Sequence, residues 1–151
     1  MNIGDIVQGG IFFYSGSTVL IAAQQDIKIP LYWGCYGVGV GGTLTAIGKG
    51  QANTNLILSG CTGNTMIAGY VCDTITISGL TDWYLPSKDE LNEMYLQKEK
   101  IGGFDTTSNY WSSSQYTPEN AWMQFFLNGT QSSLGGKDQL YKVRPIRTYI
   151  P

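Results

Sequence analysis

The clearest structural signal in this chain is the stretch Gly79-Leu-Thr-Asp-Trp-Tyr-Leu-Pro-Ser-Lys-Asp-Glu-Leu91. Within it, Ser87 and Glu90 have the spacing of a capping box, in which each side chain accepts a hydrogen bond from the other residue's backbone N–H. An apolar stripe with i, i+3, i+4 spacing follows, formed by Leu91, Met94 and Tyr95. The sequence therefore predicts a helix that begins after Ser87 and stops at Gly102-Gly103.

The same segment contains a concentration of charge. Seven charged side chains lie between Lys88 and Lys100, in a chain with only nine basic and 11 acidic residues. Charged residues opposite the apolar stripe of a helix are usually in contact with water. We therefore interpret this run as a solvated helix face and not as a site.

Apolar segments bounded by turn residues predict strands at both ends of the chain. Near the N-terminus, Ile6–Tyr14 and Thr18–Ala23 are separated by Ser15-Gly16-Ser17. The predicted C-terminal strands are Tyr110–Ser113, Ala121–Leu127, Thr130–Leu134 and Gln139–Ile146. Asn128-Gly129 is a strong hairpin signal, and Gly135–Asp138 predicts a second turn.

Two further helices are predicted between these strands. Gln51–Ser59 has Asn53 or Thr54 as a candidate N-cap, with Gly60 after its end. In the second helix, Thr65–Thr74, four apolar residues are expected on one face: Met66, Ile67, Tyr70 and Val71. Helices followed by an antiparallel sheet, with strands at both chain ends available for pairing, predict an α+β domain.

The loops show few covalent constraints. Residues 32–50 contain seven glycines, and the side chains expected to pack this long loop are Tyr32, Trp33 and Tyr36. The three cysteines, Cys35, Cys61 and Cys72, are an odd number without metal-ligand spacing. A Cys61–Cys72 pair is an alternative, but free buried thiols are favoured in a chain without a visible signal peptide. We therefore predict that packing alone holds the loops.

The composition argues against several functional classes. Only 13% of residues are charged, the formal net charge is −2, and no Lys/Arg cluster exists, so nucleic-acid binding is not expected. The absence of histidine removes His-based triads and imidazole metal sites. No run reaches the length of a membrane span, and Met1–Asp5 lacks the features of a signal peptide. We expect neither membrane insertion nor a cofactor.

Catalytic and calcium-binding interpretations find little support. Acid–base catalysis needs carboxylates that converge in a cleft, whereas the acidic residues after the helix each lie in a predicted turn: Asp105, Glu119 and Asp138. Calcium needs several oxygen ligands at short range. Glu119, Asn120 and Asp138 leave a weak calcium site open, but the prediction is a noncatalytic domain without a metal.

Three blocks have an order and spacing typical of one family: Gly79–Leu91, Tyr110–Ser114 and Val143–Arg147. Together with Gly4-Asp5 and Gly9-Gly10, they resemble the C-type-lectin-like domains of bacteria and their phages, especially the Lcl C-terminal-like family. The last part is also similar to variable proteins of diversity-generating retroelements. The resemblance implies one C-type-lectin-like domain over residues 1–151, with an antiparallel sheet and two or three helices.

Side chains in these blocks are expected to build the scaffold. The large apolar side chains predicted to be buried are Trp83, Leu85 and Trp111. The hydroxyls of Ser112–Ser114 are predicted to satisfy backbone groups. Arg144 and Arg147 are predicted to bind carboxylates or loop carbonyls within the fold.

Between the blocks, the C-terminal half is polar, mostly uncharged and contains tyrosines. Tyr gives rigid contact area, while Asn, Gln and Ser offer adaptable hydrogen bonds. The candidate ligand-binding residues are Gln115, Tyr116, Glu119, Asn120, Gln124, Asn128, Gln131, Lys137, Gln139 and Tyr141. In the resembling retroelement proteins the corresponding stretch carries the binding surface. A merely hydrated hairpin surface would also be polar, and the sequence leaves this alternative open.

The functional prediction is noncatalytic recognition. Resembling phage proteins use this module as an adhesin that presents its C-terminal hairpins to the host. We therefore predict a tail- or head-fibre component of a phage virion, made in the host cytoplasm, that binds a cell-surface glycan or protein and contacts other virion proteins. The alternative is a virion decoration or assembly protein whose fold joins subunits, and a homo-oligomer is compatible with both.

Overall fold

The computed structural model describes residues 1–151 as seven strands and four helices. In chain order they are β1 (Ile6–Val7), β2 (Gly10–Ser15), β3 (Val19–Ala23), α1 (Gly50–Gly60), α2 (Ala68–Thr74), α3 (Lys88–Leu96), α4 (Lys98–Ile101), β4 (Asn109–Gln115), β5 (Asn120–Phe125), β6 (Gln131–Gly136) and β7 (Ile146–Thr148). The two antiparallel sheets have the orders β1-β2-β3-β7 and β4-β5-β6. The α+β class predicted from the sequence is confirmed.

The first sheet joins the two ends of the chain, as predicted. Residues 20–22 of β3 pair with residues 146–148 of β7. The predicted strand Ile6–Tyr14 is divided, because Gln8 and Gly9 have φ values of 47° and 80° and turn β1 back onto β2. Positive φ is readily adopted by glycine, so the sharp turn falls at this position.

The second sheet contains the predicted hairpin at Asn128-Gly129. The predicted turn at Gly135–Asp138 starts two residues later, because β6 continues through both glycines. The predicted strand Gln139–Ile146 is wrong, since its middle forms only isolated bridges to two different segments: Leu31↔Tyr141 and Tyr110↔Lys142. In β4, the buried hydroxyls of Ser112 and Ser114 donate to backbone carbonyls, which confirms their predicted role.

Neither predicted N-cap of α1 has that role. Asn53 and Thr54 lie inside the helix and are buried. The Asn53 amide binds the backbone N–H and carbonyl of Leu44 at 2.8 and 2.7 Å. The Thr54 hydroxyl donates to the Gly50 carbonyl at 2.8 Å and accepts the Leu85 N–H at 3.1 Å. These side chains attach α1 to the long loop and to the block before α3.

Helix α2 begins three residues later than predicted, at Ala68. The segment before it is held in an extended form by Tyr32, whose N–H donates to the Met66 carbonyl at 3.2 Å and whose carbonyl accepts the Ala68 N–H at 2.8 Å. Met66 is therefore exposed and not part of the helix face predicted for it. The buried residues of α2 are Ala68, Gly69 and Cys72.

Helix α3 begins with the predicted capping box. The Ser87 hydroxyl accepts the Glu90 N–H at 3.3 Å, and the Glu90 carboxylate accepts the Ser87 N–H at 2.8 Å. Glu90 is fully buried and also accepts the N–H groups of Gly48 and Gly50 at 3.0 and 3.1 Å. Burial raises the pKa of its carboxyl. The interpretation of the charged run as solvated is therefore wrong for Glu90, which joins α3 to the start of α1.

The core consists of two main clusters that meet at β4, where Tyr110 belongs to one and Trp111 to the other. The fully buried tryptophans are Trp33, Trp83 and Trp111, and Leu85 is also buried. The predicted burial of Trp83, Leu85 and Trp111 is confirmed. Tyr32 and Tyr36 are exposed, so of the three aromatic residues expected to pack the long loop only Trp33 does so.

The two arginines of the last block bind groups within the fold, as predicted. Arg144 Nε donates to Asp26 Oδ1 at 2.7 Å. The backbone carbonyls that Arg144 also binds, at 3.0 Å each, are those of Ala23 and Gly102. Arg147 donates to both carboxylate oxygens of Asp82 at 2.7 and 2.8 Å, and these bonds hold the pKa of Asp82 below its usual value.

One disulfide links Cys35 to Cys61, with the two Cα atoms 5.4 Å apart. The prediction that packing alone holds the loops is therefore wrong, and so is the Cys61–Cys72 alternative. Residues 32–50 fold back toward the end of α1, an approach across 26 positions that sequence spacing does not reveal. Cys72 is free and fully buried, and this burial raises the pKa of its thiol.

Candidate ligand-binding surface

Three loops meet at the end of the second sheet where β4 stops and β5 begins. They are residues 35–40 in the long loop, residues 116–119 between β4 and β5, and residues 137–139 after β6. The Gly37 N–H donates to the Pro118 carbonyl at 3.0 Å, and the Lys137 N–H donates to the Glu119 carbonyl at 2.9 Å. We refer to these three loops together as the loop tip.

The buried side chain of Lys137 connects the loops that form the loop tip. Lys137 is 0% exposed, and its ammonium donates to the Val38 carbonyl at 2.9 Å and to Gln115 Oε1 at 2.7 Å. The same ammonium lies 4.5 Å from the centroid of the Trp33 ring. Burial lowers the pKa of this amine from 10.5 to about 8. Lys137 therefore joins the end of β6 to the long loop and to β4.

Gln115 forms the second internal connection. Its Oε1 accepts the Val40 N–H at 2.7 Å in addition to the Lys137 ammonium, and its backbone N–H donates to the Thr43 hydroxyl at 3.0 Å. The Cys35–Cys61 disulfide holds the other end of the same loop. The loop tip is thus ordered before any ligand arrives, which lowers the entropic cost of binding.

Several large side chains of the loop tip are exposed and do not pack in the core. Those with the greatest exposure are Tyr36 at 56%, Val38 at 45% and Tyr116 at 57%. The Tyr116 ring meets the Trp122 ring edge-on, with centroids 5.8 Å apart. The Lys88 ammonium lies 4.4 Å from the centroid of Trp122. Rigid aromatic rings next to polar groups are suited to recognition.

The exposed charges of the loop tip are acidic. Glu119 and Asp138 are exposed, whereas the one cation of the three loops, Lys137, is buried. The surface of the three loops therefore presents carboxylates, amides and phenol rings, with the Lys88 ammonium beside them over Trp122. This charge distribution disfavours anionic ligands and favours neutral or basic ones.

The ten predicted ligand-binding residues divide between different environments. Those whose side chains reach the surface at or beside the loop tip are Tyr116, Glu119, Asn120 and Gln139. Lys137 has no exposed surface, so its predicted contact with a ligand is wrong. Gln115 is half-buried, and its amide oxygen is engaged by internal donors. Both residues support the loop tip from within.

Gln124 and Gln131 connect the sheet to α3. Gln124 is 0% exposed, and its amide donates to Asn92 Oδ1 at 2.9 Å and to the Gly129 carbonyl at 3.0 Å. The amide of Gln131 donates to the Lys88 carbonyl at 2.8 Å. The prediction that Gln124 contacts a ligand is therefore wrong, because burial closes it off from any macromolecule.

The last two predicted residues lie away from the loop tip. Tyr141 is half-buried and packs against Trp111, with ring centroids 4.5 Å apart. Asn128 is exposed but lies in the turn after β5, roughly 17 Å from the loop tip for a strand of this length. The two hairpin turns of the second sheet point to opposite ends and do not form one surface.

Tyr36, Val38 and Trp122 are not part of the predicted set. Tyr36 and Val38 alternate with Gly37 and Gly39 in the long loop, and Gly37 has a φ of 80° that bends the chain outward. Large residues that alternate with glycines are a usable signal for an exposed recognition loop. The position of this loop beside β4 depends on contacts distant in sequence.

No group of three or more His, Cys, Asp or Glu side chains is arranged to hold a metal ion. Glu119 and Asp138 belong to no such group, so the calcium alternative gains no support from the geometry. None of the helices has both the length and the apolar character needed to cross a membrane.

Comparison with known proteins identifies a similar fold. No family model matches the chain, and no curated protein matches it. Among solved structures, a fimbrial protein from Bacteroides ovatus ATCC 8483 superposes with a TM-score of 0.61 at 14% sequence identity. The match covers 87% of this chain and 36% of that protein, so the chain spans about a third of its length. At this identity the similarity concerns the fold alone.

Proposed function

We propose that this domain is a noncatalytic recognition module of C-type-lectin-like type, and that its loop tip binds a glycan or protein on a host cell surface. The observation that carries the proposal is the internal connection of three loops by Lys137 and Gln115, together with a disulfide. This connection holds Tyr36 and Tyr116 exposed on a rigid base. Preorganised aromatic side chains are the usual anchors of binding surfaces.

The chemistry of the loop tip favours a neutral or basic ligand. The face of a tyrosine ring packs against the apolar face of a sugar or against an apolar side chain. Glu119, Asn120 and Gln139 provide hydrogen-bonding groups around the rings. The exposed carboxylates repel sialic or uronic acids, so a neutral glycan or a basic protein surface fits best.

The proposed setting is a phage virion, with the domain in a tail or head fibre beside other virion proteins. The similar fold in a fimbrial protein, of which this chain spans about a third, also fits a domain carried by a larger surface filament. In either setting the loop tip faces a cell surface, and recognition by this surface requires no cofactor.

The experiment is a cell-binding titration with the purified, fluorescently labelled chain. The variant Tyr36→Ala/Tyr116→Ala removes both aromatic anchors, and we expect binding to host cells to weaken by about tenfold or more. Leu127→Ala is the matched control, because Leu127 is equally exposed, at 60%, but lies at the opposite end of β5. The control should bind as the wild type does, and circular dichroism checks that both variants fold.

Unchanged binding of the folded double variant would exclude the loop tip as the site. Loss of binding in Leu127→Ala, with the double variant unaffected, would move the site to the opposite hairpin turn.

A second candidate function is subunit assembly, and one feature favours it. β6 is an edge strand of the second sheet, and Leu134 on it is 73% exposed. Open edge strands with exposed apolar residues readily pair with other chains. In that case the purified chain forms oligomers in sedimentation velocity, Leu134→Lys makes it monomeric, and host cells are not bound.

A further inference from the structure

A second concave site lies away from the loop tip. It is a cleft of about 670 Å³ between residues 24–29, which follow β3, and residues 71–78 at the end of α2. Gly9 and Ala23 complete its lining. The volume is within the range of small-molecule sites, and none of the lining residues belongs to the loop tip.

The apolar part of the cleft is entirely aliphatic. It is formed by Ala23, Ile27, Ile29, Val71, Ile75 and Ile77. No aromatic side chain lines the cleft, so it offers no flat face for a sugar or another planar ring. Branched aliphatic walls suit a hydrocarbon chain, because each methylene removed from water stabilises the complex.

The charged side chains of the cleft indicate which head group a bound ligand would carry. Asp26 and Lys28 both line it, but the Asp26 carboxylate already accepts from Arg144 Nε at 2.7 Å and from the Tyr110 hydroxyl at 2.5 Å. Lys28 is exposed and takes part in none of the ion pairs or side-chain hydrogen bonds of the fold. The uncompensated charge is therefore a single ammonium, which favours an anionic head group.

Two exposed residues with amide side chains line the same cleft. Gln24 donates to the Gly9 carbonyl at a long 3.3 Å, and the Gln25 side chain has no hydrogen-bond partner within the protein. Both residues line the cleft. Amide and ammonium groups that line one cleft are donors suited to the two oxygens of a carboxylate.

We propose that this cleft binds a monomeric, single-chain aliphatic carboxylate. The hydrocarbon chain lies against Ile27, Val71 and Ile75, and the carboxylate is bound by Lys28 with the help of the neighbouring glutamines. The site is separate from the loop tip and does not depend on its proposed function.

The test is isothermal titration calorimetry of the purified full chain with decanoate, kept below its micelle concentration. Saturable binding at one site per chain is expected. Decyltrimethylammonium has the same chain length and the opposite charge, and it should bind about tenfold more weakly or not at all. Butyrate keeps the carboxylate but lacks the long chain, and it should show no binding at the same concentrations.

A pair of lysine variants locates the head group. Lys28→Glu reverses the charge at the cleft and should weaken decanoate binding by about tenfold or more. Lys49→Glu is the matched control, since Lys49 is exposed, forms no ion pair and lies outside the cleft. Amide chemical-shift changes upon decanoate addition should concentrate in residues 24–29 and 71–78.

Three results would overturn the proposal: equal affinity for the cationic amphiphile, undiminished binding by Lys28→Glu, or chemical-shift changes centred on the loop tip. The first would indicate nonspecific apolar binding. Cell binding by Lys28→Glu should remain that of the wild type, so a failure here is distinguishable from a failure of the loop-tip function.

Discussion

Lys137 illustrates how a single buried side chain organises a surface that it does not itself reach. Its ammonium binds the Val38 carbonyl and the Gln115 amide oxygen, which belong to segments distant in the sequence. Removing this ammonium takes the donor from the Val38 carbonyl and leaves Gln115 Oε1 with the Val40 N–H alone. An unsatisfied buried acceptor costs more free energy than a typical hydrogen bond contributes. Lys137 is therefore one of the contacts that hold the long loop in position.

We expect Lys137→Met to lower the free energy of unfolding by about 2 kcal/mol in urea denaturation. Methionine fills a similar volume but donates no hydrogen bonds, so the Val38 carbonyl loses its Lys137 donor and Gln115 Oε1 keeps only the Val40 N–H. Lys49→Met, at an exposed position, is the matched control and should change stability by less than about 0.5 kcal/mol. Equal stability of the two variants would show that the Lys137 bonds contribute nothing.

The effect of Lys137→Met on the free energy of unfolding is expected to depend on pH. The pKa of Lys137 is about 8 in the folded chain, against 10.5 for the unperturbed amine. Between these values the unfolded chain holds a proton that the folded chain has released, so the wild-type free energy of unfolding rises with pH across this window. Below about pH 8 both states are protonated and this contribution is constant. The stability difference between wild type and Lys137→Met should therefore change only above about pH 8, and a flat difference would contradict the assignment.

At the scale of elements, α1 is the support on which the long loop rests. The Asn53 side chain binds Leu44 in the middle of this loop, and the disulfide joins Cys35, near its start, to Cys61 at the end of the helix. Glu90 at the start of α3 binds the residues just before and at the first turn of α1. Three separate connections therefore hold a glycine-rich segment that has little regular structure of its own.

We expect Cys35→Ser/Cys61→Ser to lower the free energy of unfolding by about 3 kcal/mol, because the disulfide closes a loop of 26 positions in the unfolded chain. Denaturation with and without a reducing agent measures the effect. Reduction should destabilise the wild type by a similar amount and leave the double variant unchanged. A variant as stable as the oxidised wild type would contradict the prediction.

At the scale of the whole molecule, Arg144 joins segments from both ends of the chain. Its buried guanidinium binds Asp26 after β3 and the carbonyls of Ala23 and Gly102. Arg147 similarly attaches β7 to Asp82. These contacts join segments distant in the sequence, so they form only when the whole chain folds.

We expect Arg144→Ala to lower the free energy of unfolding by about 3–5 kcal/mol, because the largely buried Asp26 carboxylate then loses its cationic partner and keeps only the Tyr110 hydroxyl. Lys142→Ala is the matched control, since the Lys142–Asp105 pair is half-exposed, and its loss should cost less than about 1 kcal/mol. Thermal and urea denaturation compare them. Similar losses in both variants would show that burial does not distinguish the two pairs.

Several features could be read from local sequence because neighbouring residues alone determine them. The capping box of Ser87 and Glu90 forms within one helical turn, and the hairpin at Asn128-Gly129 includes a glycine whose φ of 81° is readily adopted by this residue. Trp83 and Trp111 are buried, as expected for large aromatic side chains, because their packing in the core removes much apolar surface from water. These local rules were sufficient for the α+β class and for the start of α3.

Short-range sequence patterns, in contrast, predicted only some of the residues of the candidate surface. Polar composition alone does not distinguish Tyr116, which is exposed, from Gln124, which is bound inside between β5 and α3. The two hairpin turns are close in sequence, yet β5 separates them, so Asn128 and Tyr116 lie at opposite ends. Burial and strand direction are properties of the packed sheet.

Residue patterns thus determined the class of this fold, its capped helix, its hairpin and the buried aromatic core, because each depends on side-chain type and short-range spacing. Only the tertiary structure decided that Cys35 bonds Cys61, that Lys137 is buried beneath three loops, and that Tyr36 joins Tyr116 on one surface. These features bring together residues separated by 26 to about 100 positions. Bringing such distant residues together costs chain entropy, which only the packing of the whole chain offsets, so no local pattern predicts these contacts.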